Sequence, residues 1–125
     1  MLMDTIQFIQ DSDWNYDIAG STLSKPTDGA VLSRFRCTRA MKIPTNANGS
    51  TMSSEVATTG ITTYLLKKNS VQFGTCAFSA AANASVFTVT ETSFAIDDEF
   101  TVEAPATADA THDQISWTIT TRYTT

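Results

Sequence analysis

The side chains able to move a proton or hold a cation are few, and they lie in polar stretches. His112 is the single histidine, set in Asp109-Ala110-Thr111-His112-Asp113. Nucleophilic catalysis needs a base beside a nucleophile. In so Thr-rich a chain a hydroxyl near His112 carries no information, so this residue reads as an exposed loop histidine. Asp97, Asp98, Glu99, Asp109 and Asp113 could supply a carboxylate pair. Acids on turns stay solvated, however, and nothing nearby supplies the apolar surroundings that would raise one pKa. Asp11-Ser12-Asp13-Trp14-Asn15 opens with the alternating oxygens of a calcium loop but lacks its glycine and its closing Glu. The glycines fall singly, which excludes a phosphate-cradling loop. No catalytic residue, metal ligand or cofactor is expected.

Cys37 and Cys76 are too far apart for a metal knuckle and too few for a disulfide framework. Buried free thiols are the expectation, with a single bridge or a bond to a neighbouring subunit as the alternatives. Asn48-Gly49-Ser50 and Asn83-Ala84-Ser85 match the glycosylation pattern, as a Ser/Asn-rich chain will by chance. Trp14, Tyr16, Tyr64, Trp117 and Tyr123 could form a sugar-stacking platform if they clustered outside a core. Trp117 shares a face with Ile115 and Ile119 and reads as core, whereas Trp14 and Tyr16 lie in a polar segment and suit a contact surface as well as a core. The residues singled out for contact with a partner are Trp14, Tyr16, Asp109, His112 and Asp113.

The elements that must position these residues are strands. Val31, Phe35, Cys37, Met41 and Ile43 share one parity, and Arg34, Arg36, Thr38 and Lys42 the other, as in one long half-buried strand or two joined at a bend. Met52, Ser54 and Val56 alternate next. Residues 61–68 follow, and Lys68-Asn69-Ser70 reads as a hairpin turn. Beyond it Val71, Phe73 and Thr75 share a parity that Phe78 breaks, so a β-bulge near Gly74 should turn Cys76 to the side of Phe78. Residues 79–84 are Ala-rich but too short for a helix and read as loop. Residues 86–90 are β-branched and aromatic, Asp97-Asp98 is a turn, and Phe100, Val102 and Ala104 alternate up to Pro105. The clearest strand is the last, with Ile115, Trp117, Ile119, Thr121 and Tyr123 on one face.

About eight short strands with no helical period imply an all-β fold, an antiparallel β-sandwich of Ig-like or jelly-roll-like type, with a barrel as the alternative. A chain of 125 residues closes one core and no more, so it is one domain. Residues 1–25 read as an N-terminal arm or first strand, and residues 26–125 as the sandwich.

The net charge of −5 opposes binding to phosphate backbones, and Arg34, Arg36 and Arg39 read as exposed strand positions rather than a nucleic-acid stripe. No run reaches the roughly 20 apolar residues of a membrane helix. The start, Met1-Leu2-Met3-Asp4, carries an acid where a signal peptide is basic, so the chain is expected to be soluble and unprocessed.

Residues 32–123 resemble a small β-sandwich module that recurs in virion proteins of tailed bacteriophages. The likeness rests on Lys68-Asn69-Ser70, Phe73-Gly74-Thr75, Phe100, Val102, and Ala104-Pro105-Ala106-Thr107-Ala108-Asp109-Ala110-Thr111 leading into the last strand and Arg122. Ser70 stands where the module carries glycine, and Asp97-Asp98 where it carries Gly-Asp; a sandwich absorbs both as turn substitutions. The resemblance implies a non-enzymatic virion structural protein that decorates or cements the head, collar or tail. Its partners would be other virion proteins and copies of itself, and it would reside in the virion after assembly in the host cytoplasm. The alternative is a receptor- or glycan-binding module of the tail tip or fibre, taking a cell-surface glycan.

Overall fold

The computed structural model describes residues 15–123, so Trp14, Asp11 and Asp13 lie outside the described residues. Ten strands are present among them: β1 (Asn15–Ser21), β2 (Val31–Arg36), β3 (Met41–Ile43), β4 (Thr51–Val56), β5 (Thr62–Lys68), β6 (Val71–Phe78), β7 (Ser85–Val89), β8 (Thr92–Phe94), β9 (Glu99–Glu103) and β10 (Asp113–Tyr123). One short 3-10 turn, Thr45–Ala47, joins β3 to β4.

The pairing follows from one local event. Asn69 and Ser70, at φ of 48° and 71°, form a two-residue turn of left-handed sense that matches strand twist and closes β5 against β6. The same hairpin continues outward on both arms. Ser53 of β4 bridges Ala84 just before β7, β3 pairs β8, β2 pairs β9 and β1 pairs β10, all antiparallel. The chain is therefore one long antiparallel ribbon rolled into two sheets, β1-β10-β3-β8 with β4 also on β10, and β2-β9-β5-β6-β7. Nested pairing of this kind is a jelly roll, which decides between the two sandwich types expected.

Alternation then sets what is buried. Ile115, Trp117, Ile119 and Thr121 point inward from β10, where they meet Tyr64, Phe78, Phe94 and Phe100. The run around Val31 is two strands in different sheets, with the bend at residues 37–40. A register shift between Val31 and Ser33 leaves Val31 43% exposed, so it does not join Phe35 on the inner face, and Leu32 packs on the core in its place. In β6, Gly74 pairs Leu66 while Gln72 pairs Lys67, so Phe73 is the bulged residue and Cys76 and Phe78 turn inward together. A Cβ on Gly74 would come within 2.7 Å of the Val89 side chain, which is why glycine stands beside the bulge.

The ribbon separates two ends. Residues 22–30, 57–61, 79–84 and 104–112 cluster at one; residues 37–40, the Asn69-Ser70 turn, residues 95–98 and both ends of the described chain lie at the other. The eleven residues of β10 hold them apart, by about 33 Å at a strand's rise per residue. The two flanks also differ. On one, β4 is stitched to the β6–β7 connection by Ser54 N–H to Asn83 O (2.9 Å), Asn83 Nδ2 to Ser54 O (3.0 Å) and Ser85 Oγ to Met52 O (2.7 Å). On the other, β1 and β2 are the terminal strands of their sheets, and no strand lies beyond either among the described residues.

Candidate functional site

The contact residues expected from sequence fall at opposite ends of the molecule. At the end where β9 joins β10, Asp109 accepts the backbone N–H of Thr59 (2.9 and 3.0 Å), Gly60 (2.9 Å), Thr111 (3.0 Å) and His112 (3.2 Å). Partial desolvation acts to raise its pKa and is outweighed by these four donors, which hold the carboxyl well below the usual carboxylate range. Asp109 is thus a clamp between the 57–61 and 104–112 loops. Asp28 Oδ1 adds a second tie by accepting Ala108 N–H at 2.7 Å.

His112 is not the exposed loop residue its polar neighbours suggest. It is 1% exposed, with Nδ1 at 2.8 Å from Tyr64 Oη and its ring 4.4 Å from that of Phe78 in an edge-on arrangement. Burial pushes its pKa down, against the opposing charges of Asp109 and Asp113. A side chain so enclosed offers no atom to a substrate or a partner. The reason for the misreading is physical: the Asp109 clamp draws residue 112 inward before β10 begins, a tertiary contact that composition does not report. Asp113 opens β10 opposite Val56, half-buried, with Oδ1 shielded from solvent.

Tyr64 and Trp117 are also buried, at 1% and 2%, so the aromatics do not form one outer platform. Tyr16 does reach the surface, 39% exposed, at the opposite end. There its ring stacks on Tyr123 (5.8 Å between centroids, 30°) and tilts against Phe35 (5.7 Å, 45°). Arg39 places its guanidinium 5.4 Å from the centre of the Tyr123 ring. With Cys37, Thr38 and Met41 these residues line a cleft of about 220 Å³ between the β1 and β2 edges. Cys37 forms part of its wall as a thiol whose pKa is raised by burial first and by Asp98 second, with Lys68 opposing. Thiolate chemistry is therefore suppressed there.

Charge around the cleft is uneven. Arg34 Nη1 donates to Glu99 Oε1 at 2.8 Å, and Arg36 donates to Asp97 O at 2.9 Å and reaches Glu99 Oε2 at 3.5 Å. Arg39 is exposed and has no carboxylate within ion-pair distance among the described residues. Sequence reading missed Phe35, Arg39 and Met41 as lining residues. Their signal, apolar and basic residues at the end of one strand and the start of the next, gains meaning only when β1 is known to pair β10 and to meet β2 of the other sheet.

Both cysteines are free and buried. No group of three or more His, Cys, Asp or Glu is placed to hold a metal among the described residues, and no helix there is long and apolar enough to cross a membrane. Compared with known proteins, the chain matches no family model and no curated sequence.

Proposed function

We propose that this protein is a non-enzymatic structural subunit of a bacteriophage virion, decorating or cementing the head, collar or tail. The observation that carries the reading is the asymmetry of the sandwich. The β4–β7 side is closed by hydrogen bonds, while β1 and β2 leave two strand edges and an aromatic cleft at the end where the chain enters β1. Free strand edges beside an aromatic-walled cleft suit assembly, because main-chain groups give affinity and the cleft gives register. The groups best suited to chemistry are spent internally: Asp109 on backbone donors and His112 on Tyr64. The jelly roll is a scaffold used by viral capsid proteins, and this agrees with the resemblance carried by the turns and core positions of residues 32–123.

The test is to purify particles from an infected culture and quantify the protein by mass spectrometry against the other virion components. A fixed stoichiometry that survives high-salt washing is expected. Recovery only in the soluble fraction would overturn the reading. A second reading, glycan binding at a tail tip, has one observation in its favour: a shallow groove over β6 and β7 lined by Gln72, Thr75, Thr88, Thr90 and Thr92, whose hydroxyls suit a neutral sugar. Glycan-array binding by the isolated protein separates the two.

A further inference from the structure

The cleft between β1 and β2 holds about 220 Å³, below the roughly 300–1,000 Å³ of sites that enclose a small molecule. It has room for one or two side chains. We propose that it receives residues 5–13 of a second copy of this chain, with Ile6 and Phe8 seated against the rings of Tyr16, Phe35 and Tyr123, and Asp11 and Asp13 facing Arg39. This rests on the structural-subunit reading and names the contact through which the subunit would assemble.

Charge selects the segment. Residues 1–24 carry Asp4, Asp11, Asp13 and Asp17 and no Lys or Arg. Arg39 is the cleft cation without a carboxylate partner among the described residues, whereas Arg34 and Arg36 already meet Glu99. Exposed over the Tyr123 ring, the Arg39 guanidinium can donate charge-assisted hydrogen bonds to an incoming carboxylate. Composition agrees, because Thr5-Ile6-Gln7-Phe8 alternates polar and apolar as an added strand requires. Length permits the exchange: β1 begins at Asn15 at the cleft end, and the thirteen residues ahead of Trp14 span up to about 45 Å when extended, enough to reach a neighbouring molecule. Folding the segment back onto its own cleft through Asp11-Ser12-Asp13 is the competing occupancy, and it would leave the chain monomeric at every concentration.

The measurement is the native mass of the full-length chain by light scattering over a dilution series. A concentration-dependent oligomer is expected. Arg39→Glu, and separately Asp11→Lys with Asp13→Lys, should each weaken it by roughly tenfold or more while leaving a monomer that melts cooperatively, and combining them should restore it. Ile6→Ser with Phe8→Ser should weaken it as well. A monomer at every concentration would overturn the proposal, as would an oligomer that none of these variants weakens. The result is independent of particle incorporation: assembly through the cleft in a protein never found on virions would defeat the structural-subunit reading alone.

Discussion

His112 and Asp109 act on stability through opposite kinds of contact. Asp109 gathers backbone donors around a charge, and His112 is held neutral against Tyr64 and Phe78. The folded pKa of His112 lies below its ordinary 6.5 because burial penalises the cation. Its contribution is therefore complete above about pH 6.5 and is lost as pH falls toward the depressed folded value, where the unfolded chain binds a proton that the folded chain refuses. Thermal melts between about pH 7.5 and 5 should show a falling melting temperature, above the range in which carboxylates titrate. A His112→Gln variant should melt lower throughout and lose most of that slope. An unchanged slope in the variant would assign the pH dependence elsewhere.

At the scale of elements, two positions show how the ribbon closes. Ser70 holds φ of 71° in the β5–β6 turn, a conformation that favours glycine, while its neighbour Asn69 anchors the turn to β9 by accepting Glu99 N–H at 2.8 Å and donating to Asp98 Oδ1 at 3.0 Å. Ser70→Gly should therefore stabilise the protein by about 0.5–1 kcal/mol, roughly 2–4 °C in melting temperature. Gly20 faces the opposite constraint. It pairs with Trp117 across β1 and β10, and a Cβ there would sit 2.6 Å from the indole ring. Gly20→Ala should push Trp117 off its seat and cost about 1–3 kcal/mol, read as a lower midpoint in urea. An unchanged midpoint would mean that the indole moves freely. Because β1 is a terminal strand, this loss should loosen the cleft flank before the stitched one.

Over the whole molecule, the sandwich is held by burial without covalent staples among the described residues. Cys37 and Cys76 are free thiols, and burial, only partly offset by Ser85, pushes Cys76 up to about 12. Reducing agent should leave melting temperature and subunit mass unchanged, and a thiol-alkylating reagent near neutral pH should leave the native protein unmodified while labelling both cysteines in denaturant. Fast native labelling of Cys37 would show that the cleft wall opens. Ends and flanks thus divide the labour: one end is tied by Asp109 and Asp28, one flank is stitched through Asn83, and the remaining end and flank carry the exposed edges and Tyr16.

Much of this architecture was legible in the sequence, because alternation and turn chemistry are local. The inward face of β10, the Asn69-Ser70 turn, the bulge beside Gly74 and the sandwich class all follow from parity and from residues that tolerate positive φ. Val31 was misread because a bulge shifts phase without any glycine to mark it. The candidate site was less legible. Tyr16 could be picked out as an aromatic in a polar segment, but Phe35, Arg39 and Tyr123, which line the cleft with it, come from two other stretches that meet only when the ribbon rolls. Whether His112 faces solvent or core likewise depends on a carboxylate three residues away gripping the backbone of a distant loop. Periodicity along the chain decides which side of a strand is apolar; only the tertiary pairing decides which strands are neighbours, and so which polar groups are spent inside and which are left at an open edge.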